Sequence, residues 1–263
     1  MRSLHAVAGA LFALSVTVVA AIAADDSEPP PYLSAANEPD ATRFAPAYPV
    51  KGSKAKAEDQ FVFDSWRKKQ KDPRWQQAIV DADWHTTVVL DGFSCALGVK
   101  LGPANTPNLV ALLERMQSDL QVASSNAKTF FHRDRPFVGT KKATCVSRDT
   151  VGKSYSYPSG HSSLGWSFAL ILSELAPDRA SQIMARGRAY GESRAVCGMH
   201  WESDVEAGRY VGAAVVAALH SDAAFRADLD AVRAEVAAAR SGASVSDGAA
   251  CQALNASDLK RPW

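Results

Sequence analysis

The sequence predicts an all-α fold, a single-domain helical bundle. Apolar residues recur at three- and four-residue steps through most of the chain after Lys56, the period of a helix face. No stretch alternates apolar and polar residues long enough to compete as a strand. A chain of 263 residues can bury one sizeable core, which fits one domain better than two.

The first residues stand outside that core. Arg2 gives a short basic start, Val7 to Ala23 is uncharged and apolar, and Ala21-Ile22-Ala23 is an A-x-A cleavage site. Residues 1–23 therefore read as a secretory signal peptide cut before Ala24. The rival reading, a membrane anchor, needs a run of roughly 20 apolar residues, and this one is short. The expected location is periplasmic or secreted. Residues 24–57 are rich in Pro, Ala, Ser and Asp and lack apolar periodicity, so they read as an extended arm or flexible linker.

The helical domain is expected over 58–240. Phe61, Phe63, Trp66, Trp75, Ile79 and Trp84 fall in helical stretches interrupted near Pro73 and read as a core stripe. The clearest helix runs from Thr106, a natural N-cap followed by Pro107, to about Phe131. Leu109, Leu112, Leu113, Met116 and Leu120 share its buried side. Further helices are expected from Ser159 or Gly160 to about Leu175, from Pro177 to about Ala195, and from His200 to His220. Ala223 to Ala239 forms a last amphipathic helix, and 241–263 looks like a loose tail.

Charge and cysteines set further bounds. Taking Arg2 away with the signal leaves 28 of the 29 Lys and Arg residues against 28 Asp and Glu. A chain near neutrality has no overall field to recruit nucleic acid or an acidic membrane, so affinity for anions must be local. Val211 to Leu219, the best later candidate for a membrane span, is too short. Cys95, Cys145, Cys197 and Cys251 match no zinc spacing, and an exported chain meets an oxidising compartment. Of the three possible pairings, Cys145–Cys197 is preferred because both flank chemistry-bearing motifs, leaving Cys95–Cys251 to tie down the tail. Free buried thiols are the alternative.

Three clusters carry the chemistry: Lys128 with Arg135-Pro136, then Pro158-Ser159-Gly160-His161, then Ser193-Arg194 with His200 and Asp204. His200 and Asp204, four apart, share a helix face, where a carboxylate can fix the imidazole tautomer and leave one nitrogen free to attack. A structural or metal-binding pair would show the same spacing. Ser159 can donate its hydroxyl to phosphate, Gly160 admits close approach, and a helix start favours an anion. Simple capping would look alike. His161 over such a turn is a candidate general acid. Lys128 and Arg135, seven apart, can project from one side, and Pro136 biases Arg135 away from helix. Arg194 brings a planar fork of donors, and Gly198 permits the chain to bend it toward His200. His132, Arg133, Lys141 and Lys142 read as solvated charges, and Tyr155 and Tyr157 as either leaving-group lining or packing. Nothing calls for a metal or other cofactor.

The pattern K-x6-RP, PSGH, SR-x5-H-x3-D resembles the type 2 phosphatidic acid phosphatase/vanadium haloperoxidase superfamily. The run from Gly191 to Asp204 narrows the resemblance to the secreted bacterial class A acid phosphatases. That resemblance implies His200 as nucleophile, Asp204 as its orienter and His161 as acid and base. Lys128, Arg135, Ser159, Gly160 and Arg194 would hold phosphate at the helix ends, with no cofactor. The implied substrates are small phosphate monoesters, and class A relatives imply a homo-oligomer. The absence of a later apolar span disfavours the membrane-bound lipid phosphatases of the superfamily. A vanadium-dependent haloperoxidase is the nearest enzymatic alternative, since vanadate mimics the phosphoryl transition state. A non-catalytic phosphate-binding module would not need both His161 and the His200–Asp204 pair.

Overall fold

The computed structural model describes residues 29–242, 249–258 and 263. Among them are helices and loops and no strand, the all-α fold read from the sequence. The expected signal peptide lies outside the described residues, and no helix within them is long and apolar enough to cross a membrane. In chain order the helices are α1 (Ala41–Phe44), α2 (Lys54–Trp66), α3 (Pro73–Val80), α4 (Thr86–Leu97) and α5 (Pro107–Phe131). After a long loop come α6 (Gly160–Leu175), α7 (Ala180–Cys197), α8 (Glu202–Leu219), α9 (Ala223–Gly242) and α10 (Ala249–Asp258). Pro177 opens a short 3-10 turn, Pro177–Arg179, rather than α7 itself.

The bundle is built around α6, which packs most extensively on α7 and α8. Phe168, Ile171 and Leu172 of α6 are fully buried, as are the small Ser163 and Ser167. Glycines on the neighbouring helices let backbones close in. A Cβ at Gly187 of α7 would lie 2.6 Å from the Gly165 carbonyl oxygen. One at Gly208 of α8 would lie 2.5 Å from that of Ser159. These approaches fix the start of α6 against the start of α8, which is where the chemistry-bearing residues meet.

On the other side, Leu109, Leu113 and Met116 of α5 and Phe225, Val232 and Val236 of α9 are fully buried at helical spacing. Each such side chain contributes roughly 1.5–3 kcal/mol of burial. The start of α5 differs from expectation. The Thr106 hydroxyl turns back to accept from the Gly102 N–H at 3.0 Å. The free N–H groups of Asn108 and Leu109 instead donate to the Glu235 carboxylate of α9, 2.9 Å each. A carboxylate suits the positive end of a helix, and here it comes from a distant element.

The expected aromatic stripe divides. Phe63, Trp66 and Trp75 are core, Phe61 and Ile79 are exposed, and Trp84 lies in a cavity wall. Residues 29–53 run over the bundle as an anchored arm, which excludes the flexible-linker reading for this part. The N–H groups of Tyr32 and Leu33 donate to Asp119 at 3.1 and 2.8 Å, and the Tyr32 ring meets Phe225 edge-on. The stretch expected to be loose after residue 240 contains α10, fastened by the Cys95–Cys251 disulfide. The Asp258 carbonyl accepts from Arg188, and its carboxylate faces Arg186 at 3.8 Å. Partners so distant in sequence leave no local signature. Cys145–Cys197 forms the second disulfide, so both preferred pairings are present.

Candidate active site

His200 lies in the turn between α7 and α8, two residues before α8 begins. It therefore does not share a helix face with Asp204, as the spacing suggested. Asp204 occupies the third position of α8 and reaches back over the helix start, accepting from the Trp201 N–H at 2.8 Å. Its Oδ2 also faces His200 Nδ1 at 3.3 Å. Arg135 Nη1 donates to His200 Nε2 at 3.0 Å. An arginine can only donate and a carboxylate only accepts, so the hydrogen sits on Nδ1 and the lone pair on Nε2. Burial, then the Arg135, Lys128 and Arg194 cations, hold the His200 pKa well below its ordinary value. The ring is neutral, with Nε2 available as a nucleophile.

Three cations share the pocket with His200, and Arg135 touches that nitrogen. α5 ends at Phe131 and His132 turns left-handed at φ 50°, so Lys128 projects from the helix and Arg135 from the loop beyond it. Both reach the Tyr155 carbonyl, Lys128 Nζ at 2.9 Å and Arg135 Nη2 at 3.2 Å. Arg194 is delivered by the last turn of α7, which Gly198 closes at φ +79°. The buried Arg194 Nε and Nη1 have no hydrogen-bond partner among the described residues. Leaving such donors unmade is costly, and an anion of several oxygens would satisfy them. Burial lowers all three cations, and neighbouring cations push Lys128 and Arg135 down further. Lys128 falls to about 7, Arg135 to about 10 and Arg194 to about 10.

The PSGH turn contributes unequally. Ser159 caps α6, accepting from the Ser162 N–H at 3.3 Å, and is fully buried. Its hydroxyl proton remains available as a donor. Gly160 lines the cavity, and a Cβ there would meet no atom within 4 Å. His161 Nε2 donates to the Ala82 carbonyl at 3.0 Å, which leaves Nδ1 as its second, uncommitted nitrogen. The ring is stacked on Tyr190 and tilted against Trp84. Burial first, then Arg194, lowers its pKa well below the ordinary value.

All the catalytic and phosphate-binding candidates but Asp204 and Ser159, which lie just behind the wall, meet at one cavity of about 380 Å³. Lys128, Arg135, Gly160, His161, Arg194 and His200 form its cationic end, while Trp84, Leu120, Ser124 and Val151 belong to the remaining wall. Neither tyrosine before the turn lines it. Tyr157 is buried, with its ring edge-on to Phe131, and Tyr155 is partly exposed. Ser193 stays outside as well, accepting from Arg74 at 2.8 Å and donating to Asp81.

Two arginines escaped the sequence reading. Arg133, expected at the surface, is buried and pairs with Asp204 and Asp59 at 2.5 Å each. Arg67 donates to the carbonyls of Phe63, Ala143 and Val196, stapling the end of α7 to α2. A Cβ at Gly198 would meet Arg67 Nη1 at 2.0 Å. The only local hint was Arg133 standing beside a motif arginine.

The sequence matches the PAP2 superfamily over residues 110–227, which contain all three clusters. It is 43% identical over 206 residues to the acid phosphatase of Zymomonas mobilis, covering 78% of each chain. It is 37% identical over 209 residues to the non-specific acid phosphatase of Providencia stuartii, covering 78% of this chain and 84% of that one. The corresponding Salmonella typhimurium protein is 42% identical over 167 residues, covering 62% of this chain and 67% of its own. The chain belongs to the PAP2 superfamily, among its bacterial non-specific acid phosphatases.

Proposed function

We propose that this chain is an exported acid phosphatase that hydrolyses phosphate monoesters through a phosphohistidine intermediate, without a metal. The observation that carries the reading is His200 Nε2, held as a lone pair by Asp204 and Arg135 inside a ring of three cations. Nε2 attacks phosphorus and the phosphorus–oxygen bond to the alcohol breaks. His161, protonated as the substrate dianion raises its pKa, gives the Nδ1 proton to the departing oxygen. Asp204 steadies the imidazolium formed when phosphorus joins the ring. Water then attacks phosphorus, His161 takes its proton, the nitrogen–phosphorus bond breaks and phosphate leaves.

Lys128, Arg135 and Arg194, with the Ser159 hydroxyl and the backbone at Gly160, hold the phosphoryl oxygens. That arrangement supplies the charge neutralisation that a divalent cation provides elsewhere. The catalytic domain is residues 58–240, behind a signal peptide over 1–23 and an arm over 24–57. The substrates are small esters rather than nucleic acid, and family relationship favours a homo-oligomer.

Rapid-quench trapping with a labelled, activated ester tests the roles. His200→Ala should retain no acid-labile label. His161→Ala should still form phosphoenzyme from an ester with a good leaving group, but far more slowly from a poor one, a contribution of typically 10² to 10⁴-fold. Label retained by His200→Ala would overturn the nucleophile assignment.

A further inference from the structure

Arg133 lies behind the site rather than in it. Its Nη1 donates to Asp204 Oδ1 and its Nη2 to Asp59 Oδ2, both at 2.5 Å. Nη1 also reaches the Ser203 hydroxyl at 2.7 Å, and Ser203 bonds Asp59 through its N–H at 3.0 Å. The rings of Tyr48, Trp201 and Tyr157 surround the guanidinium carbon at 5.1, 5.5 and 5.9 Å. Arg133 is buried and forms no part of the cavity wall, so it cannot touch a phosphate there.

We propose that Arg133 is a positioning residue that, by sharing Asp204, keeps His200 unprotonated on Nε2 in acid. This rests on the proposed role of His200. A carboxylate whose main partner is an imidazole stabilises the imidazolium and raises its pKa. Protonated on both nitrogens, His200 would have no lone pair for phosphorus. Here the Asp204 charge is divided among Arg133, the Ser156 hydroxyl, the Trp201 N–H and His200, and the His200 contact is the longest at 3.3 Å. Asp204 therefore orients the ring without drawing a second proton onto it.

Other charged groups face the pair. Lys128 of α5, Arg135 of the loop and Arg194 of α7 push His200 toward neutrality, and His161 of α6 lies near. Lys56 of α2 stands over the Trp201 ring and feels both Asp59 and Asp204, while Tyr157 flanks Asp204. The three pocket cations cannot replace Arg133 during turnover. A bound phosphate dianion offsets their charge at the moment when the lone pair is needed. Arg133, screened from the cavity, keeps acting on Asp204 in the enzyme–substrate complex. Its influence should therefore appear in kcat, whose pH limbs report that complex.

The test compares kcat against pH for one ester, and NMR titration of the His200 ring, in three variants. Arg133→Gln/Asp59→Asn removes a buried cation and a buried anion together and leaves no additional buried charge. Its acid limb and His200 pKa should rise by roughly one unit or more. Arg133→Lys should restore most of the wild-type profile. Asp59→Asn alone leaves the guanidinium to Asp204 and should lower the His200 pKa. An unmoved or lowered His200 pKa in the folded double variant would overturn the proposal. Should that variant not fold, Asp59→Asn decides, and an unmoved or raised pKa there sinks the idea. The ring titration reads this coupling whether or not His200 carries phosphate, which the trapping experiment determines separately.

Discussion

At the scale of single residues, the site is strained by like charge. Lys128 is held at about 7 against 10.5 unfolded, by burial and then by Arg135. Its folded pKa is the lower one, so its unfavourable contribution grows as pH falls from 10.5 and is complete below about 7. A bound dianion relieves this by raising the Lys128 pKa. Sulfate is a dianion throughout the range and isolates the effect. At pH 8 its binding should take up a proton, read calorimetrically in buffers of different ionisation enthalpy, and Lys128→Met should reduce the uptake to the share that His161 contributes. The same charge accounting makes chelators harmless to turnover. Restoration of a chelated, inactive enzyme by a divalent ion would refute the metal-free reading. The sequence exposed every residue of this cationic end, because its motifs fix residue type and spacing together. It hid Arg133, whose guanidinium finds all its hydrogen-bond partners more than 50 residues away, and Arg67, which beyond nearby Phe63 reaches partners equally remote. The same holds for the turn geometry that takes His200 off the helix.

Helix by helix, periodicity exposed the elements but not how closely they approach. Two glycines at the start of the site separate these effects. A methyl at Gly160 meets nothing within 4 Å but enters the cavity end where phosphate would lie. Gly160→Ala should leave the melting temperature near wild type while weakening phosphate inhibition. At Gly208 the new Cβ would stand 2.5 Å from the Ser159 carbonyl oxygen, and backbone cannot step aside cheaply. Gly208→Ala should destabilise by about 1–3 kcal/mol and lower kcat through the displaced turn. Equal stability losses in the two variants would contradict the packing account. Glu235 makes the parallel point for α5. Removing its carboxylate with Glu235→Ala should cost about 1 kcal/mol in urea unfolding, like the loss of an N-cap. No reading of residues 106–109 could have found that partner.

Across the whole molecule, two clasps close the chain around the site, and they should separate experimentally. Cys145–Cys197 ties the loop bearing Arg135 to the end of α7 bearing Arg194, so its loss should reduce activity. Cys95–Cys251 spans 156 residues and holds α10, which supplies no residue to the cavity wall, so its loss should act on stability, by up to roughly 5 kcal/mol in the chain-entropy model. The second clasp carries an electrostatic partner with a definite pH sign. Burial raises the Asp258 pKa to about 6 from 3.8, with Arg186 opposing and Asp81 assisting. The folded carboxyl thus binds its proton more tightly than the unfolded one. Docking of α10 is strongest when Asp258 is protonated, and it loses stability as pH rises from 3.8 through about 6. Amide protection in α10, the exchange rate taken relative to its intrinsic pH dependence, should therefore increase on acidification from pH 7 to pH 5, while α6 shows no such gain. Asp258→Asn, neutral at every pH, should remove the dependence. If α10 protection in that variant still increases over the same interval, Asp258 is not the group that fastens the tail.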